Sequence, residues 1–432
     1  MTGASPLLLA HGVGTVYESP IPVSYYLAGA AATVAFSFLL RALGPREPRP
    51  FRMRPIAGKR AVDVGAAILK WGAFAALVLT VVSGVAVRGE GSSLAVLLFW
   101  VAFVVGFTLL SSIVGGVWRA ADPWATAEEL YRLEDAETRD DRPPAWLGPL
   151  SLYLLFWFEL VSGVAFEDAW VVLAILLYSL YSLVARGRFG EAYRDADPFA
   201  ILFGFASRIA PLRLERDRVV AGSPVAALDE PAPMPLTLYA SVFVLLGSTT
   251  LDNLRETVGW STAMRTLGLD AIPPMLVDSV ALAAFGAAFY ATFLMAMAVA
   301  RGGASLDEAA RRFGWSLIPI AIAYVLAHNA PLLMTGLPAL VRALGDPLGL
   351  GWDLGGLSGA FSGFIASPRA VWFIEIALIV GGHILGVLAA HRTALRLHPD
   401  HGIAVRSQYA LTALMTAYTI ATLWLLAQPL VA

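Results

Sequence analysis

A chain of 432 residues that is 58% hydrophobic and 14% charged, with a mean hydropathy of +0.70, lies far from the soluble norm and leaves no room for a large water-soluble domain. The net charge of −2 says little about partners, and nothing in the sequence supports nucleic-acid binding. Zero cysteines exclude disulfides, thiolate metal sites, cysteine-ligated iron–sulfur clusters and thiol nucleophiles.

In chain order, residues 1–21 form an outer N-terminal segment with one acid, Glu18, and no base. Its apolar stub, Pro6 to Ala10, is too short for a signal-peptide core, which predicts uncleaved insertion. Cleavage after Ala10 would instead make His11 a free terminus, whose amine and imidazole together chelate copper. Apolar segments follow at 22–43, 62–87, 94–115, 147–165, 169–186, 235–253, 275–300, 314–336, 370–391 and 408–429, each close to the ~20 residues that cross a bilayer. The predicted fold is therefore all-α: a polytopic bundle of about ten membrane-spanning helices plus two short interfacial ones.

Twenty-four of the thirty Lys and Arg residues fall in alternate gaps, at 41–60, 119–142, 186–218, 301–312 and 392–406. Basic loops stay cytoplasmic, so this pattern predicts a multipass plasma-membrane protein with both termini outside.

The second and third basic gaps contain an internal similarity, Trp118-Arg119-Ala120-Ala121-Asp122-Pro123-Trp124-Ala125 against Tyr193-Arg194-Asp195-Ala196-Asp197-Pro198-Phe199-Ala200. Asp then Pro reads as a helix start, with the carboxylate capping free amides and the ring tolerated in the first turn. The copies read either as a parallel repeat of two-helix units or as surface anchors with Trp124 and Phe199 at headgroup depth. Pro224, Pro231 and Pro233 mark 219–234 as a linker between a first five-helix half, 22–218, and a second, 235–432, which carries the polar site.

Counting ~1.5 Å per helical residue from the segment ends puts four ionisable groups at one depth in the outer half: Asp252, Asp278, His328 and Glu375. Such groups are expensive in hydrocarbon, so an outward-facing polar cavity is expected. Its imidazole and carboxylates would suit a divalent transition metal, a proton relay or acid–base chemistry on a small-molecule or ion substrate. For Asp252 and Asp278, capping of helix ends at the water interface is the competing reading. Asn329 adjoins His328. His383 and His391 follow Glu375 at successive eight-residue steps, on a slowly turning stripe that either lines a path across the membrane or ends at the basic boundary. Asp346 and Asp353 flank a turn-like stretch before Glu375 that would cap the cavity or rest on the membrane through Trp352. No Gly-rich phosphate loop, His-Glu-x-x-His helix, Gly-x-Ser-x-Gly elbow or calcium loop occurs.

Several patches in order resemble a known family. They are Ala10-His11-Gly12 with Pro20-Ile21-Pro22, the two Asp-Pro-aromatic motifs at Asp122 and Asp197, and Ser248-Thr249-Thr250-Leu251-Asp252. Asp346-Pro347 with Gly351-Trp352-Asp353-Leu354, Arg406-Ser407-Gln408-Tyr409, Ala417-Tyr418-Thr419 and Leu423-Trp424-Leu425-Leu426 continue the series. Together they resemble the prokaryotic multipass proteins often labelled fenitrothion hydrolase-like. The resemblance implies a polytopic membrane protein and, by its label, hydrolysis of organophosphate triesters; it supplies no catalytic residues. Three functions follow. One is a permease for a small solute or metal ion. The second is a membrane-embedded phosphotriester hydrolase, in which metal-bound water, or water activated by Glu375 or His328, attacks a lipophilic substrate. The third is an assembly subunit whose polar groups only join helices, beside a membrane or periplasmic partner.

Overall fold

The structure, a computed structural model, describes residues 22–42, 53–86, 93–130, 141–359, 366–398 and 400–428. The outer N-terminal segment, including the proposed copper ligand His11, lies outside the described residues.

The described chain is a helix bundle, and each of the ten apolar segments contains a helix. The first half contains α1 (Val23–Ala42), α2 (Lys59–Ala86), α3 (Leu94–Ile113), α4 (Pro123–Leu130), α5 (Leu147–Leu160), α6 (Asp168–Phe189) and α7 (Pro198–Arg208). The second contains α8 (Leu236–Arg255), α9 (Val258–Thr266), α10 (Pro274–Ala300), α11 (Leu306–Gly314), α12 (Ile318–His328), α13 (Ala330–Ala343), α14 (Pro368–Leu397) and α15 (His401–Leu426).

Among the described residues five helical stretches are long and apolar enough to cross a membrane: α2, α3, α6 running on to Arg208, α10 and α14. A sixth is Leu306–His328 with Ala330–Ala343, if that pair, bent by 53°, is one span. That is fewer than the ten expected, and the reasons are local. Helix α5 stops after 14 residues. Polar groups from Ser248 to Asn253 dilute α8. In α2 only 6% of the apolar window is covered by protein, the pattern of a helix clothed by lipid.

A small sheet that the sequence did not announce ties together the Arg-rich ends of the first half. Its strands, β1 (Arg54–Gly58), β2 (Val114–Gly115), β3 (Leu212–Leu214) and β4 (Arg218–Ala221), stand in the order β1-β4-β3-β2. Ala221 pairs antiparallel with both Arg54 and Leu212, whereas Val114 pairs parallel with Leu212. Strands of two to five residues are too short to show a period of two.

The two Asp-Pro-aromatic motifs are interior, not at a surface. Trp124 and Phe199 are buried and stack on each other at 6.2 Å with planes 5° apart. Asp122 accepts the amides of Trp124 and Ala125 at 3.0 and 3.1 Å, and Asp197 accepts that of Phe199 at 2.9 Å. Arg186 of α6 neutralises Asp122 at 2.5 Å. The 219–234 stretch is bound along its length: Arg208 donates to the Ala227 carbonyl, Trp315 to that of Ala232, and Arg392 and Arg396 grip Asp229.

The core centres on α12, buried at every residue from Ile318 to Ala327. Helix α14 lies against it at very close range. A Cβ at Gly382 would sit 2.4 Å from that of Ala323, and one at Gly386 2.8 Å from the Ser316 carbonyl. Gly247 of α8 meets Gly286 of α10 in the same way, a Cβ there falling 2.5 Å from the Gly286 amide nitrogen. Small residues let backbones approach, so α8, α10, α12 and α14 can converge on one region.

Candidate functional site

That region begins where α12 fails to continue into α13. Pro331 has no N–H to offer the Ala327 carbonyl, and its ring crowds that carbonyl, so the helix stops at His328 and restarts at Ala330. The break brings together the negative end of one helix dipole and the positive end of the next. Discontinuous helices of this kind bind solutes and ions in membrane transporters, because only lined or buried cavities tolerate freed backbone at that depth.

His328 stands at the break and donates Nε2–H to Asp252 Oδ2 of α8 at 2.5 Å, with both side chains about nine-tenths buried. Asp252 is on the last turn but one of α8, and Tyr324 of α12 extends its hydroxyl towards Thr250 and Asn253 beside it. Asn329 donates to the Val325 carbonyl at 3.0 Å, while its own Oδ1 is buried without a partner among the described residues.

Around this pair stand further carboxylates. Glu375 of α14 is buried and within electrostatic reach of His328. Glu159, at the end of α5, interacts with Asp252, His328 and Arg255. Glu256, one residue beyond α8, is pushed up to about 7, first by burial and then by the Asp252 carboxylate. Asp278 is drawn aside, pairing with Arg255 at 3.3 Å. Arg255 also donates to the Leu160 carbonyl, which pins the end of α5 to α8.

Of the residues singled out in the sequence, the structure brings together Asp252, His328, Asn329 and Glu375, with Asp278 at the margin. Asp346 and Asp353 serve their own turn. Asp346 accepts the Leu350 and Gly351 amides at 2.9 and 2.8 Å. Asp353 accepts the Ser358 amide at 2.9 Å, which holds its carboxyl below the usual range. His383 is buried further along α14 and donates from Nδ1 to the Ile379 carbonyl at 2.8 Å.

Glu159 and Glu256 were missed. Glu159 follows Phe156-Trp157-Phe158, and a lone acid in an aromatic run carries the same warning as Glu375. Among the described residues no three His, Asp or Glu side chains are grouped so as to share a metal ion. These carboxylates act on the imidazole through space.

Comparisons with protein-family models, curated proteins and solved structures gave no match.

Proposed function

We propose that this chain is a permease of the plasma membrane, crossing it about ten times with both termini outside, and that it binds a small polar solute or ion at the Asp252–His328 pair. The observation that carries the reading is the break itself: a helix interrupted beside a buried acid–imidazole pair. A core helix needs neither the interruption nor the pair. The clustering of basic residues at one set of gaps supports the orientation, because it sets the Asp252 end facing outward. Nucleotide-binding motifs are absent from the sequence, which favours an ion gradient or a partner subunit as the source of drive.

The test is uptake into proteoliposomes from panels of labelled small solutes and divalent cations, comparing wild type with Asp252→Asn and His328→Gln. Saturable uptake that falls at least about ten-fold in both variants, corresponding to ~1.4 kcal/mol, is the expected result. Equal uptake by all three proteins would overturn it.

A second reading draws on the same pair and on the resemblance to fenitrothion hydrolase-like proteins. An imidazole oriented by a carboxylate is the base half of a hydrolytic site, able to take a proton from water attacking a lipophilic phosphotriester. Triester turnover by protein that takes up nothing, abolished by His328→Gln, selects this reading. Neither activity leaves an assembly role.

A further inference from the structure

Several bases of the Arg-rich end are neutralised within the fold, Arg186 by Asp122, Arg311 by Asp307, Arg312 by Glu308 and Arg392 by Asp229. The corner where β1 runs into α2 gathers three that are not. Residues 41–60 hold seven Lys and Arg against one acid, Glu47. Of the seven, Arg54 opens β1, and Lys59 and Arg60 open α2. All three are exposed, and among the described residues none of them enters an ion pair. The one acid nearby along α2, Asp63, is exposed and offsets at most one of the three charges.

The depth of this corner follows from Lys70, which pairs with Glu129 of α4 and lies 5.8 Å from the Trp71 ring. Glu129 and Trp71 are both exposed, and an ion pair beside an exposed Trp belongs at the rim of the hydrocarbon rather than inside it. From Lys70 to Ala86 the helix rises ~25 Å, most of the ~30 Å of hydrocarbon. The turns from Lys59 to Lys70, a rise of ~16 Å, therefore stand with β1 at headgroup level and just beyond it. In that layer Ile56, Val64 and Ile68 are 58%, 54% and 67% exposed. Apolar side chains interleaved with unpaired bases fit the boundary between acyl chains and phosphates.

We propose that this corner binds an anionic phospholipid, with Arg54, Lys59 and Arg60 serving its phosphate and Ile56, Val64 and Ile68 meeting the upper part of its chains. The inference rests on the chain crossing a membrane and is independent of the permease reading. Two guanidinium forks can each take a phosphate by paired hydrogen bonds, and the Lys59 ammonium adds a point charge. The apolar members commit the site to a lipid rather than to free phosphate, which has nothing to set against them.

The test places the full chain in equimolar phosphatidylcholine and phosphatidylglycerol, transfers it to mild detergent and counts the retained lipids by native mass spectrometry. Wild type is expected to keep phosphatidylglycerol at least about five-fold over phosphatidylcholine, roughly the preference that a single base confers near an anionic surface. Arg54→Gln/Lys59→Gln/Arg60→Gln should bring the ratio close to one. Each single substitution should lower it part of the way, so the test stands even where the triple variant fails to fold. Arg142→Gln/Arg301→Gln/Arg406→Gln removes the same charge from exposed positions in other loops and should leave the ratio unchanged. Equal retention of the two lipids by wild type, or a ratio untouched by substitution at 54, 59 and 60, overturns the proposal. An equal fall in the 142, 301 and 406 variant also overturns it, by reducing the corner to the general field of the basic end. Complete displacement of phosphatidylglycerol by inorganic phosphate at the same concentration would assign the site to a free anion and overturn the lipid.

Discussion

Asp252 and His328 illustrate what one buried pair demands of its neighbours. Either alone would be an uncompensated polar group nearly out of water; together they are mutually satisfied. Asp252→Ala is therefore expected to destabilise the protein by about 3–5 kcal/mol, and adding His328→Ala should recover part of that loss. Thermal unfolding of the single and double variants measures the coupling. Glu256 makes a pH prediction. Its folded value of about 7 exceeds the ordinary 4.5, so the folded state holds the proton more tightly than the unfolded one. The associated stability is fully present below pH 4.5 and is lost as pH rises through about 7. The melting temperature should accordingly fall on going from pH 5 to pH 8, and Glu256→Gln should remove part of that fall. At this scale Asp252, His328 and Glu375 were legible because charge in an apolar segment stands out in any reading. Their pairing was not, since no periodicity in one segment says which of its neighbours it will face.

At the scale of the element, the proposed function rests on two helices. Helix α12 is broken for a covalent reason, and restoring an amide should mend it. Pro331→Ala is expected to lower solute uptake while leaving thermal stability equal or higher, because the helix gains a bond to Ala327 and loses the gap beside His328. Unchanged uptake would separate the break from the function. Helix α14 depends on having nothing at Gly382. Gly382→Val forces a side chain into Ala323 and should cost about 1–3 kcal/mol, visible as a lowered melting temperature with loss of uptake. The apolar segments foretold the helices because length and hydropathy are properties of each alone. The bend between His328 and Ala330 was concealed: the apolar span read at 314–336 resumes after His328 and Asn329 and runs on past Pro331, and hydropathy does not register a missing N–H. Trp124 and Phe199 were open to two readings in the sequence, since an aromatic beside Asp-Pro suits the membrane surface as well as it suits a stacked core pair.

For the whole molecule, the account requires one end of the bundle, with Asp252, His328 and the loop around Leu350, to face outward, and the Arg-rich end with Asp229, Arg392 and Arg396 to face the cytoplasm. The absence of native cysteines makes this directly testable, because any introduced thiol is unique. Leu350→Cys should react with an impermeant thiol reagent in intact cells, and Gly303→Cys should react only after lysis. The expectation of this polarity comes from the basic-residue pattern alone. The sheet and the strapping of 219–234 across the Arg-rich end were not legible in the sequence, because they depend on contacts between residues far apart in sequence, such as Arg54 with Ala221 and Asp229 with Arg396.

The most direct measurement places a single thiol at the break itself, as Ala330→Cys, and asks whether a water-soluble thiol reagent added from outside reaches it in intact vesicles. Ala330 is buried beside the Asp252–His328 pair, so a dry packed core would protect it as completely as any lipid-sealed residue. A solute site predicts labelling from the outer face, suppressed by whichever solute the protein takes up. No labelling at position 330, under conditions that label Leu350→Cys to completion, would contradict an outward-facing site at the broken helix.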